Sequence, residues 1–303
     1  MDEIPSLEQT MKSKTWPYLE ATFAAVVWGG SFIATKVTLK DISPVTIVWL
    51  RFGMGVIVLG ATVAARKQFA TLELREWGYF ALLGFLGITF HQWLQSNGLK
   101  TSEASTTAWI VATTPVFMAL LGRLILKENL TGLKITGIAL AFIGVMLVVS
   151  HGNIASISIG KFGAPGDVLI LISAVNWSVF SVLSRRGLKK YSASLMIFYV
   201  MLFGWIFTSA LFAIGRNYIE LPMLSRDGWL GVLFLGIFCS GLAYIGWYDA
   251  LHALSTAETG VFLYLEPLIA TVVAFIILAE PITLASVIGG GVILFGVWIV
   301  NTS

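Results

Sequence analysis

Aromatic and polar side chains suited to gripping a small solute recur in this sequence at helical spacing. Trp28 shares one face with Ser31 and Thr35, and Trp177 shares another with Ser173 and Ser184, with Asn176 beside it. Trp109 falls on a face with Thr106 and Thr113. An indole is a flat, rigid surface on which a ring or an aliphatic chain can stack; the plainer reading is packing against a neighbouring helix. His91 lies on a face with Gly84, Gly87 and Gln95, a mixture of small and polar residues that suits tight packing or a cavity wall. Ser240, Tyr244 and Tyr248 form a further face, followed by Asp249. Tyr248 stands near the end of its apolar run, where tyrosine also serves as an interfacial anchor.

Two prolines, Pro115 and Pro267, lie well inside apolar runs. Each deletes a backbone hydrogen bond and leaves carbonyls of the preceding turn free, which makes both candidate hinges. In a membrane such a break is tolerated where it lines a cavity or is covered by protein. Glu266 directly precedes Pro267, where the first half carries Thr114. Its carboxylate can pair with a substrate amine, carry a proton, or bond to groups released by the kink, and the last is the preferred reading. Glu128 and Glu280 stand where the last apolar helix of each half begins. Negative charge there stabilises a helix by about 0.3–1 kcal/mol, so both read as structural. Arg51 and Lys36 sit close enough to span ends to snorkel. Gly137, Gly144, Gly289, Gly290, Gly291 and Gly296 permit close helix approach, which is scaffold or dimer chemistry.

The elements that position these groups follow from composition. Hydrophobic residues make up 57% and charged residues 12% of the 303 residues, against about 25% charged in soluble domains. With a mean hydropathy of +0.87, the chain is an all-α integral membrane protein whose surroundings are the lipid bilayer. Its basic residues lie between apolar runs rather than in a stripe, so nucleic acid is not implied. The single cysteine, Cys239, excludes an intramolecular disulfide and any cysteine-cluster metal site. The first apolar run lacks a small-residue cleavage site and reads as a retained helix. At about 20 residues per crossing, ten transmembrane helices are expected near 17–38, 43–65, 77–98, 102–125, 131–150, 166–186, 192–214, 228–252, 256–278 and 283–301.

The chain is also written twice. Pro115, Glu128, Gly137 and Gly144 recur as Pro267, Glu280, Gly289 and Gly296 at one constant offset, which also pairs Trp77 with Trp229 and Gly84 with Gly236. At a slightly shorter offset Trp28 meets Trp177, Lys36 meets Arg185 and Ser43 meets Ser192. Two five-helix units, 17–150 and 166–301, are therefore expected, and an odd number of crossings per unit makes them inverted repeats. Such repeats place a solute site at their interface near the midplane. Twelve loop Lys and Arg fall on the side of the N-terminus and six on the other, which puts both termini in the cytoplasm.

Intramembrane enzymes are poorly matched. No second mid-span aspartate accompanies Asp249, and there is no Gly-x-Ser-x-Gly nucleophile turn, His-Glu-x-x-His zinc motif or P-loop. His151 and His252 lie at span ends or in loops, which leaves His91 without a ligand companion. Neither a metal nor a cofactor is expected. A channel would need rings of pore-lining polar groups, whereas these spans carry scattered aromatics.

Taken together, Trp28-Gly-Gly-Ser-Phe32, Leu50-Arg51-Phe52, Thr114-Pro115, Glu266-Pro267 and the two late glutamates resemble the drug/metabolite transporter superfamily, specifically its EamA-type ten-helix members. Within it the aromatic-rich character is most similar to the YddG-type exporters of aromatic amino acids. The resemblance implies a secondary transporter of the bacterial inner membrane working by alternating access. It also implies a central cavity lined by the first, third, fourth, sixth, eighth and ninth helices, with the fifth and tenth as peripheral support. The expected substrate-binding residues are Trp28, His91, Gln95, Trp109, Asn176, Trp177, Tyr244, Tyr248 and Glu266. Few basic residues lie within spans, which sets phosphorylated cargo aside. Neutral and aromatic amino acids are the expected cargo. The alternatives are another metabolite, a hydrophobic drug or, more remotely, lipid, in a monomer or homodimer.

Overall fold

A computed structural model describes residues 7–125, 131–153, 163–254 and 256–302. Glu128 and the middle of the linker between the two halves lie outside the described residues. Among the described residues the chain is helical, without strands. Among the described residues the α and π helices form ten rods, with a short 3-10 helix at Asn217–Met223: α1 (Leu7–Thr38), α2 (Pro44–Ala65), α3 (74–98), α4 (104–125), α5 (Gly132–Val149), α6 (Pro165–Leu188), α7 (Ala193–Ile214), α8 (Arg226–Ala253), α9 (256–278) and α10 (Leu284–Thr302). Eight are long and apolar enough to cross a membrane, the other two being α1 and α3. Lys36 lies in α1, and His91, Gln92 and Gln95 in α3. A helix satisfies its backbone internally, which is why hydrocarbon admits it. α1 begins ahead of the expected residue 17, and the other rods fall close to their expected spans.

Four rods depart from regular α geometry. α3 passes through a π-helical stretch at Phe85–Phe90 and α8 through another at Phe234–Leu242. α4 breaks between Val111 and Thr114, and α9 between Phe262 and Leu265, just ahead of Pro115 and Pro267. The interrupted pair expected from the prolines is present. The π stretches were not anticipated.

Packing between the halves has a two-fold pattern. α1 packs on α8 and α9, and correspondingly α6 packs on α3 and α4. α2 lies against α8 as α7 lies against α3, while α2–α7, α4–α9 and α5–α10 each pair an element with its own counterpart. α5–α10 is the most extensive pairing, and glycine makes it possible. A β-carbon on Gly144 would stand 2.6 Å from the Gly289 carbonyl oxygen, and one on Gly137 would stand 2.6 Å from that of Gly296. The reverse substitutions would clash in the same way, at 2.8 Å and 2.6 Å. These four glycines are thus spent within the chain. Gly290 receives the Trp109 ring, and Gly291 faces open space.

Polar ties hold the rod ends. Glu280 accepts the N–H groups of Ala104 and Ser105 at 2.8 and 3.0 Å and pairs with Lys36 at 3.0 Å. It therefore caps α4, not the start of α10, which begins at Leu284. Lys36 is likewise engaged rather than snorkelling, since its Nζ also donates to the Ser102 carbonyl at 2.7 Å. Burial alone would raise the Glu280 pKa, but these donors outweigh it and hold the carboxylate below its ordinary value. At the opposite rod ends Arg66 grips Asp249 through two bonds of 2.7 and 2.6 Å, which gives that aspartate a structural partner. Gly144→Ala should lower the thermal stability of the purified protein, since overpacking typically costs about 1–3 kcal/mol. Gly291→Ala should leave it unchanged or slightly raised, and thermal unfolding of both variants in detergent checks the contrast.

Candidate functional site

The irregular stretches of α3, α4, α8 and α9 are where α1 and α6 make their most specific contacts. A π-helical turn is wider than an α turn and turns carbonyls off their usual line, and such turns are frequent at functional sites. In α8 the Cys239 carbonyl accepts the Trp28 indole N–H at 3.0 Å. In α3 the Leu86 carbonyl accepts the Asn176 side-chain N–H at 2.8 Å. The proline breaks are covered from the same two posts. Ser178 donates to the Thr114 carbonyl at 3.1 Å, and Gly29 lies so close that a β-carbon there would stand 2.8 Å from the Glu266 carbonyl oxygen. Within α4, Thr114 donates to the Val111 carbonyl that Pro115 cannot serve, at 2.6 Å.

Next to these anchor points the aromatic groups converge. Trp28 meets Tyr244 edge-on with ring centres 5.3 Å apart and Trp247 at 5.4 Å, and Tyr244 stacks on Tyr248 at 6.4 Å. On the other side His91 lies 4.7 Å from Trp177, which lies 4.8 Å from Phe180. His91 Nδ1 is 3.2 Å from the Ser173 carbonyl oxygen, so Nδ1 carries the proton and donates. Trp28, Trp177, Tyr244 and Tyr248 all belong to one contiguous cluster, built around Phe52, Phe180 and Met201. Trp28, Trp177 and Glu266 nevertheless keep partly accessible surfaces in the middle of their rods, as Tyr248 does near the end of α8. Glu266 is partly accessible, and its carboxylate makes no hydrogen bond among the described residues, so the expected bond to groups released by the kink is not made.

Arg51 ties the two aromatic groups together. It donates through Nε to Ser240 Oγ at 3.0 Å and through Nη1 to Gln92 Oε1 at 3.1 Å, and its guanidinium covers the Phe52 ring at 4.9 Å. The expectation that it snorkels is wrong. Seven residues into α2 places it roughly 10 Å along the rod, and only 6% of its surface is exposed. Ser240 adjoins Cys239, and Gln92 adjoins His91, so the arginine spans equivalent parts of α8 and α3.

Two expected residues sit elsewhere. Trp109 is buried in a separate cluster between α4, α5 and α10, packed on Gly290, and its indole N–H has no hydrogen-bond partner among the described residues. Gln95 is partly exposed on α3, while its neighbour Gln92 makes the contact to Arg51. The face drawn through Gly84, Gly87, His91 and Gln95 is broken by the π stretch: Gly84 abuts α7 at Gly204, and Gly87 receives the Phe180 ring of α6. Two cavities lie outside the central cluster. One of about 160 Å³ is apolar and flanks the Pro115 break, lined by Thr113, Val116 and Phe117 together with α5 residues. The other, of about 390 Å³, lies between the ends of α5 and α10 near His151 and Thr283.

An all-helical membrane chain whose halves exchange contacts around a polar-aromatic centre defines the class as a polytopic transporter-like fold. The profile of the EamA-like transporter family matches residues 15–150 and again 164–302, and the chain belongs to that family. It is similar to an uncharacterised transporter of Archaeoglobus fulgidus, 31% identical over 95% of this chain and 98% of the relative. It is also similar to a probable terminal-alkyne amino-acid exporter of Streptantibioticus cattleyicolor, 26% identical over 91% and 90%. A solved crystal structure, 20% identical, superposes with a TM-score of 0.67 over 95% of this chain and 97% of its own, a likeness of fold.

The packing separates two tryptophans that look alike in sequence. Trp109→Ala should reduce stability by about 3–5 kcal/mol, the usual loss for a buried aromatic, and leave the substrate preference of the surviving protein unchanged. Trp177→Ala should instead cut transport while membrane insertion persists. Thermal unfolding and flux measured on both variants check the split.

Proposed function

We propose that this transporter exports small metabolites, foremost neutral and aromatic amino acids, by alternating access. Cargo passes through a space lined by the two aromatic groups. The observation that carries the reading is their symmetric origin: Trp28 with Tyr244, and Trp177 with His91, each join one post to a π-helical rod of the other half. Partial exposure of Trp28, Trp177 and Tyr248 inside an otherwise packed cluster, and of Glu266 at the break of α9, supports an internal cavity. The name of the Streptantibioticus relative, an amino-acid exporter, supports the cargo class. The breaks at Pro115 and Pro267 serve as hinges for the movement of one half against the other. Glu266 stands at the second hinge as a group able to take a substrate ammonium or a proton. The chain crosses the cytoplasmic membrane ten times, with both termini inside, following the excess of basic loop residues on that side.

Uptake of radiolabelled tryptophan, phenylalanine, methionine and threonine into liposomes containing the purified protein tests this, with and without a pH gradient. Saturable flux of at least one amino acid is expected, and its response to the gradient distinguishes proton coupling from downhill movement. No flux of any of them through folded protein would move the cargo to another class of metabolite.

A further inference from the structure

Among the described residues Arg51 is the only lysine or arginine that is buried. On insertion scales a cation at the centre of a membrane helix costs roughly 2.5–3.5 kcal/mol, and buried charges are ordinarily paired. The partners of Arg51 are both neutral: Ser240 at Nε and Gln92 at Nη1. None of the ion pairs among the described residues involves it. A guanidinium carries five N–H donors in a rigid planar fork, and these two bonds leave the Nη2 edge without a protein acceptor among the described residues. Its electrostatic neighbours Cys239, Tyr244 and His91 carry a thiol, a phenol and an imidazole rather than a carboxylate. A purely structural tie between α3 and α8 needs no charge, and a neutral side chain would make it without desolvating a cation.

We propose that Arg51 is the anion anchor of the transport site and receives the carboxylate of the cargo on its free Nη edge. Ser240 and Gln92 fix the plane of the guanidinium, so the fork is oriented before cargo arrives, and a carboxylate matches it with two parallel bonds. The cargo side chain then lies against the Trp28–Tyr244 or the Trp177–His91 face. A phosphate would fit the same fork but brings a second negative charge, and no other lysine or arginine is buried among the described residues to meet it. The assignment rests on the central cluster being the transport site, and it narrows the cargo to compounds bearing a single carboxylate.

Two ligand triads test it by isothermal titration and ligand-induced thermal stabilisation of the full-length protein. One is tryptophan, indole-3-propionate and tryptamine; the other is leucine, 4-methylpentanoate and isopentylamine. The carboxylate-bearing members of a triad should bind, and the amine lacking the carboxylate should bind at least about tenfold more weakly. Arg51→Gln should abolish that preference, and Arg51→Lys, which keeps the charge without the fork, should restore part of it. Amines binding as tightly as the acids would overturn the assignment. So would a preference surviving in Arg51→Gln, no acid binding to folded protein, or inorganic phosphate outcompeting every acid. Arg51-dependent binding of the simple acids without the amino acids would sustain the anchor while removing the amino-acid reading. If Arg51→Gln does not fold, the wild-type triads decide alone.

Discussion

A backbone carbonyl turned out of its helix inside a membrane has no water to bond, so protein must cover it. That constraint organises this transporter. Four of its rods depart from α geometry, two by π-helical stretches and two at prolines, and each departure is covered from α1 or α6. Trp28 bonds to α8 and Gly29 packs directly on the α9 backbone, while Asn176 and Ser178 bond to α3 and α4. The residues that bond to or pack on the irregular backbone therefore neighbour, or are themselves, the ones that form the aromatic groups. The proposed site and the helix repair occupy the same few positions on α1 and α6.

The remaining rods have a different character. α5 and α10 are regular and lock through reciprocal glycine contacts in which backbone meets backbone, a surface with no room to slide. α2 and α7 pair across the two-fold relation, and α2 carries Arg51 into the centre. Irregular elements are where helices kink, so α3, α4, α8 and α9 are the rods proposed to flex against a rigid α5–α10 pair. The polar ties at the rod ends, Lys36 with Glu280 and Arg66 with Asp249, join separate elements at opposite ends of the bundle. In the proposed alternating access, contacts at the two ends would open in turn, and these ties stand at those ends.

Much of this was legible in the sequence because matched residues in the two halves point to corresponding elements. Matched prolines located the broken helices, matched tryptophans located the posts, and matched glycines located the tightest pairing. What escaped was anything that depends on rotation about a rod. A projection at uniform helical spacing put Gly84, Gly87, His91 and Gln95 on one face, but the π stretch turns the later residues and brings Gln92 to Arg51 instead. Arg51 looked like a span-end residue by its distance along the chain, yet its direction points it inward, towards Ser240 and Gln92. Trp109 shares the composition of a binding-face residue, but its ring is spent on Gly290. Glu280 read correctly as structural, although the helix it caps is α4, which lies far away in sequence.

The central claim is that cargo is held between the Trp28–Tyr244 and Trp177–His91 groups. A cryo-EM map of the protein with saturating tryptophan tests it most directly. Ring density between those aromatics, with its carboxylate against the free edge of Arg51, is the result this account predicts. Ligand density only in the apolar cavity beside Pro115 or between the ends of α5 and α10, with the central cluster closed and unchanged, would contradict it.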